Sequence, residues 1–232
     1  GRQFAVIRTT YERIAATNAI KLVFNIEEGP KVKVGHIKIE GNAAFSDRKI
    51  IRAMRNSRPV AVPMWLFEWN LWSKTYDRRK LAEDLEVGIR GLYQDHGYFQ
   101  VLVKEPIVET VDINRGGLPG PWPLVGRKTG KRTNITIPIQ EGDRFRMGKL
   151  FIRPVDPDKG LYFKTDFLKQ AFPLKQGDIF SVDKVRTALK EYGKLYGAYG
   201  FIDFTAEPQT EIDQQAKTID LTLTFDEQKQ FF

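Results

Sequence analysis

One stretch of this chain occurs twice, and that repetition limits the fold more than any composition figure does. Ile26-Glu27-Glu28-Gly29-Pro30-Lys31-Val32-Lys33-Val34-Gly35-His36-Ile37-Lys38-Ile39 is echoed by Ile139-Gln140-Glu141-Gly142-Asp143-Arg144-Phe145-Arg146-Met147-Gly148-Lys149-Leu150-Phe151-Ile152, with the glycines in register. In each copy an alternating apolar strand runs into an acidic residue and Gly, and a second alternating strand begins. This reads as a junction between repeating units. Leu221 to Phe231 repeats the first half of the same junction. A further unit is therefore expected where the sequence stops.

Between junctions the order of elements is shared. In the first unit Val32, Val34, His36 or Ile37, and Ile39 lie on a strand, followed by a Gly41-Asn42 turn. Ser46 is a candidate N-cap for a short helix carrying Ile50, Ile51 and Met54. A longer helix from Asp77 carries Leu81, Leu85, Ile89 and Leu92 on one face and stops at His96-Gly97. Tyr98 to Glu105 and Thr133 to Gln140 read as the closing strands. The second unit repeats this order: a strand at Phe145 to Arg153, a short helix at Thr165 to Phe172 and a long helix capped by Ser181. Strands at Phe201 to Glu207 and Thr218 to Phe225 close it. The fold class is therefore α+β, with tandem β-α-α-β-β units, each a three-stranded mixed sheet with two helices on one face. The boundaries fall at 1–29 (the closing strands of a preceding unit), 30–142 and 143–232.

Composition removes several chemistries. The 232 residues contain no Cys and two His, so disulfides, thiolate metal sites and a His-rich centre are excluded. The longest uncharged stretch, Gly116 to Gly126, is broken by Gly and Pro and is far short of the roughly 20 residues that span a bilayer as a helix. No signal-peptide pattern opens the chain. The net charge of +8 permits an acidic partner, but Lys and Arg are scattered, with local concentrations only at Arg78-Arg79-Lys80 and 127–132. A nucleic-acid reader gathers basic residues beside stacking aromatics, so ordinary solvated surface is the better reading. No nucleophile, base and orienting group stand together, so catalysis is not expected, and neither is a cofactor or metal.

The β-α-α-β-β unit, the Ile39-Glu40-Gly41-Asn42 turn, the Tyr93 to Tyr98 corner and the Glu-Gly junctions resemble polypeptide-transport-associated (POTRA) domains. More narrowly, Val62-Pro63-Met64-Trp65 and Tyr76 to Leu85 resemble a middle POTRA domain of the BamA-like outer-membrane protein assembly family. Two departures stand out: Arg153-Pro154-Val155 replaces Glu40-Gly41-Asn42, and the first unit carries a Gly- and Pro-rich insert at Asp112 to Arg132. The resemblance implies a non-catalytic array at the periplasmic face of the bacterial outer membrane, preceding a membrane β-barrel that lies outside this sequence. Its implied partners are unfolded outer-membrane protein clients and accessory lipoproteins. Clients are held partly by strand addition to a sheet edge, where unpaired N–H and C=O groups template a further strand.

On that basis the candidate client-binding edge strands are Tyr98 to Glu105, with Tyr98, Phe99, Val101 and Val103, and Phe201 to Glu207, with Phe201, Ile202 and Phe204. Trp65, Phe67, Trp69 and Trp72 form an aromatic stretch that is either a partner contact or a loop folded back on its own domain. The insert, with Trp122, Arg127 and Lys128, is a candidate partner loop, read as a flexible extension of a hairpin. A dedicated secretion or translocation barrel is the alternative within the same class. A basic nucleic-acid-binding α+β protein is the alternative outside it.

Overall fold

The structure, a computed structural model, describes residues 5–14, 19–29, 31–58, 75–115 and 128–231. In chain order the elements are β1 (Val6–Ile14), β2 (Ala19–Glu27), β3 (Val32–Glu40), α1 (Asp47–Ala53) and α2 (Arg78–Glu83). A π-helical stretch (Asp84–Ile89), α3 (Arg90–Gln94), β4 (Leu102–Val103), β5 (Ile107–Arg115) and β6 (Lys128–Gln140) follow. The rest are β7 (Arg146–Pro154), α4 (Thr165–Ala171), α5 (Val182–Ala198), β8 (Thr205–Asp213) and β9 (Thr218–Asp226). The chain packs into two compact units, Gly1–Gly88 with Val103–Ile139, and Ile89–Leu102 with Gln140–Phe232.

Both larger sheets are mixed and built around the last strand of the repeat. β6 lies parallel to β3 and antiparallel to β5, and β4 is also bonded to it. β9 lies parallel to β7 and antiparallel to β8 in a three-stranded sheet. Period-two spacing puts Thr133, Ile135, Ile137 and Ile139 on one buried face of β6, and Ile219, Leu221, Leu223 and Phe225 on one buried face of β9. The β9 row packs with Leu168 of α4 and with Val185, Ala188, Tyr192 and Tyr196 of α5. Each aliphatic side chain so buried stabilises by roughly 1.5–3 kcal/mol before entropy is charged against it. β1 and β2 form a separate antiparallel ribbon.

The long helix of the first repeat differs from its expected apolar face in one respect. Leu81, Leu85 and Ile89 are buried as the spacing predicts, but the fourth core position is Tyr93 rather than Leu92. The π-helical stretch between them adds residues per turn, so the face recurs every fourth residue throughout. Buried Asp84 sits at its start and accepts the Asn56 and Ser57 amides, at 2.9 and 2.6 Å. Ser46 stands at the N-cap of α1 without a side-chain cap bond, whereas Asp77 and Ser181 cap α2 and α5 as expected.

The glycines in register inside the repeat have a specific task. Gly35 and Gly148 lie at register shifts in the parallel ladders, between Val34 and Ile37 and between Met147 and Leu150. At each shift a side chain from the central strand reaches the exposed amide of the next residue: Asn134 Oδ1 accepts His36 N–H at 3.0 Å, and Asp220 Oδ1 accepts Lys149 N–H at 2.6 Å. A Cβ on Gly35 would lie 2.6 Å from Asn134 Oδ1, and one on Gly148 would overlap the Asp220 carboxylate outright. The bulge thus needs glycine and a short polar acceptor together. It also moves the buried phase from Val34 to Ile37, leaving His36 exposed.

Two predictions follow from these devices. Asp220→Ala costs about 1.5 kcal/mol through the lost amide acceptor, and Gly148→Ala costs about 1–3 kcal/mol through overlap. Because that overlap is with Asp220 itself, the double variant loses clearly less than the sum in a urea-unfolding cycle; strict additivity would refute the shared bulge. At the start of α2, amide bonds from Lys80 and Arg79 hold the Asp77 carboxyl below its ordinary value of 3.8. A group lowered on folding stabilises fully above its unfolded pKa, and the contribution is lost as pH falls through the lowered folded value. Asp77→Asn therefore flattens the stability loss below about pH 4, measured by urea midpoints across the acid range.

Candidate strand-addition edges

Strand addition needs a strand whose outer N–H and C=O groups face no other strand. The first strands of the two sheets do not offer this along their whole length. Tyr76 N–H donates to Val32 O at 2.9 Å, and Lys33 bridges to Thr75. Around β7, Met147 N–H donates to Asp178 O at 2.7 Å, Gly177 N–H to Met147 O at 2.8 Å and Phe180 N–H to Phe145 O at 3.2 Å. In both cases the segment before the long helix folds along the edge. β5 and β8, by contrast, pair only with β6 and β9 among the described residues.

These free edges begin later in the chain than the alternation of apolar residues suggests. Tyr98, Phe99 and Val101 are not on a strand; they form a turn, closed by Val101 N–H donating to Tyr98 O at 3.3 Å. Val103 is in the two-residue β4. Phe201, Ile202 and Phe204 likewise precede β8, with Phe204 N–H donating to Phe201 O at 3.3 Å. The cause is the way the long helices end. Gly97 and Gly200 take φ of +93° and +89°, and the following amides turn back to the helix: Tyr98 N–H to Tyr93 O at 3.0 Å and Phe201 N–H to Tyr196 O at 3.1 Å. Amides used to close a helix cannot also start a ladder.

Most apolar side chains of these turns pack into the core, Ile202 being the exposed exception. Val101 and Phe201 are buried, and Phe99 packs edge-on against Phe180 with ring centroids 5.6 Å apart. Phe204 stacks on Tyr196 at 4.1 Å, and Phe225 closes the cluster. Burial pushes the Tyr192 hydroxyl up to about 12, and it donates to Leu168 O at 2.7 Å. Burial, with Glu227 nearby, raises Tyr196 as well. Tyr192 is thereby held protonated as a buried donor within its own unit.

The residues that do line the open edges were marked in the sequence only by proline. Pro106 immediately precedes β5, whose Ile107, Val108 and Val111 are exposed apolar side chains. β8 is exposed too, but it carries Pro208, Glu207, Glu211 and Asp213. Proline and charge are the usual protection of an edge against adventitious pairing. Both edges carry exposed carboxylates, Glu109 and Asp112 on β5 included; they differ in the proline inside β8 and the exposed Ile and Val of β5. The long loop read between the closing strands is in part strand, because β5 runs to Arg115 and β6 starts at Lys128. Trp65, Phe67, Trp69, Trp72, Trp122 and Arg127 lie outside the described residues; Lys128 opens β6.

Comparison with known proteins fits this architecture. The outer membrane protein assembly factor BamA of Buchnera aphidicola is 24% identical over 216 residues, 93% of this chain and 30% of that protein. BamA of Neisseria meningitidis is 25% identical over 208 residues, 90% of this chain and 23% of that protein. The chain thus spans less than a third of the length of these relatives. The crystal structure of Haemophilus influenzae BamA POTRA3-5 superposes with a TM-score of 0.57 at 17% identity, covering 86% of this chain and 67% of that one, and so shares its fold. The family model POTRA, described as surface antigen variable number repeat, matches residues 32–142 and 159–228. With both repeats matched, the chain belongs to the POTRA family.

Proposed function

We propose that this chain is a periplasmic, non-catalytic part of a BamA-type outer-membrane protein assembly factor, and that it receives unfolded client chains by strand addition to β5. The observation that carries the strand-addition reading is the β5 edge itself: unpaired on its outer side among the described residues, nine residues long, and lined by exposed Ile107, Val108 and Val111. Main-chain pairing gives affinity without demanding a particular client sequence, and alternate apolar side chains add contact area. That suits a receiver of many β-strand clients. The relatives' name supports the assembly role. Accessory lipoproteins and a membrane barrel on the same polypeptide belong to this proposal as partners.

The same reading assigns 1–29 to the end of a preceding unit, 30–142 to one POTRA domain and 143–232 to the next. The ribbon supports it. Ile20, Leu22, Phe24 and Ile26 of β2 stand where Thr133, Ile135, Ile137 and Ile139 stand in β6, yet the β2 residues are exposed and the β6 residues buried. A two-stranded ribbon with one naked apolar row is marginal alone.

Edge charges test the inequality of the two strands. The pair Ile107→Lys and Val111→Lys, which share the exposed face of β5, is expected to weaken binding of a urea-unfolded outer-membrane β-strand peptide by about tenfold, close to 1.4 kcal/mol. Thermal unfolding should be unchanged. Gln209→Lys with Thr210→Lys on β8 should leave binding within error, read by fluorescence anisotropy. Equal losses from both edges, or from neither, would overturn β5 as the receiving strand.

A further inference from the structure

Side chains directly opposite each other in a ladder point to one face of the sheet. The register of β5 with β6 therefore divides the β5 side chains between two faces. Ile107, Glu109 and Val111 stand opposite Thr136, Asn134 and Arg132, on the face away from the buried Ile135 and Ile137. Val108, Thr110 and Asp112 stand opposite Ile135, Thr133 and Lys131 on the other. On that second face the polar groups are already matched. Lys131 Nζ lies 3.4 Å from Asp112 Oδ1, and the Thr110 and Thr133 hydroxyls are 3.3 Å apart. Glu109 is not matched. Asn134, opposite it, spends Oδ1 on the His36 N–H at 3.0 Å. Arg132 is diagonal to Glu109 and opposite Val111, and the Glu109 carboxylate has no ion pair or hydrogen-bond partner among the described residues.

An edge strand presents its side chains to whatever pairs with it, so the three open-face residues act as one template: aliphatic, carboxylate, aliphatic, at period two. Ile107 is 55% exposed and Val111 40%. A strand laid on β5 in register sets its own alternate side chains against them. The best complement has apolar residues opposite Ile107 and Val111 and a cation opposite Glu109. The template reads the same from either end, so parallel and antiparallel arrivals are matched alike. Toward a second copy of the chain the same symmetry works in reverse. Two β5 edges paired antiparallel with Ile107 against Val111 bring Glu109 against Glu109, and like charges directly opposite disfavour the pairing.

We infer that Glu109 selects the client strand received at β5: a segment with Lys or Arg at its centre and an apolar residue two places to either side. This selection rests on the strand addition proposed for β5 and specifies which strands that edge prefers. Glu109 thereby serves two ends, admitting a cation-bearing client and rejecting self-pairing. Long-range charge works against such a preference. The chain carries a net +8, which at a distance attracts acidic peptides. At ~0.1 M salt, exposed charges more than about 10 Å apart are largely screened. A Lys-centred strand is therefore preferred only through a close pair with a local carboxylate.

Two peptides of the same alternating sequence test this, differing only in a central Lys or Glu with Val two places to either side. Their binding to the 232-residue chain is read by fluorescence anisotropy. The Lys peptide should bind about fivefold tighter than the Glu peptide, with the ratio narrowing as salt is raised. Glu109→Gln should bring the two affinities together, and Glu109→Lys should reverse their order. Glu211→Lys, at an exposed carboxylate on the corresponding face of β8, should leave the ratio as it is. Thermal unfolding should be alike in all three variants. An unchanged ratio in Glu109→Lys, with both peptides still bound, would overturn Glu109 as the selector and leave strand addition at β5 standing. An equal shift from Glu211→Lys would overturn it too, since bulk charge would then be the cause. Failure of both peptides to bind would remove the β5 reading itself, and the selection with it.

Discussion

Everything in the two larger sheets depends on the burial of one face of a single strand, β6 in one and β9 in the other. That strand supplies a parallel partner on one side, an antiparallel partner on the other and the apolar row on which the helices rest. A parallel pair cannot be joined by a tight turn. The two helices therefore have to cross over between the first strand and the last, and the remaining strand has to come back antiparallel. The β-α-α-β-β order is one chain route that satisfies this constraint. A one-residue slip of β9 would turn Ile219, Leu221, Leu223 and Phe225 to solvent together. The Lys149 N–H bond to Asp220 Oδ1, near the start of that row, sits at the register shift of the parallel ladder.

The same arrangement decides which backbone is left for binding. With the centre of each sheet occupied by the buried strand, only the two outer strands can pair further. The segment before the long helix takes up the start of one of them through Tyr76 or through Gly177 to Phe180. The free edges that remain both carry carboxylates and differ in that β8 has a proline inside the strand and β5 has exposed Ile and Val. An apolar edge exposed to water carries a cost in aggregation. The exposed aliphatic side chains on its open edge are what make β5 a functional candidate.

The architecture was legible in the sequence because its signals are periodic. Alternation in 133–139 and 219–225, and the spacing of Leu81, Leu85 and Ile89, gave the central strands and the helix face directly. The binding edge was not legible, for a definite reason. Phe99, Val101 and Val103 alternate as strand residues do, yet the amide of Tyr98 closes the helix, and one further turn intervenes before pairing begins. Period two in side chains says nothing about where an amide is already committed. Only Pro106 and Pro208 marked the neighbourhood of the real edges. The Tyr93-for-Leu92 exchange has a similar origin, since a π-helical stretch changes the period without leaving a compositional trace.

Main-chain groups also explain how the fold persists at 17% identity to a POTRA structure. At the corners the acceptors are carbonyls of Gly97, His96, Gly200 and Tyr199, and the side-chain donor is Arg144 in one case and Gln230 in the other. At the bulges the acceptor is Asn134 in one and Asp220 in the other. What must stay constant is a glycine where the backbone passes close or takes positive φ, together with any side chain of suitable reach that offers a donor or an acceptor. Such a rule constrains few positions and leaves the surface free. Two units of one chain can therefore share the corner and bulge joints and still present edges of different side-chain chemistry.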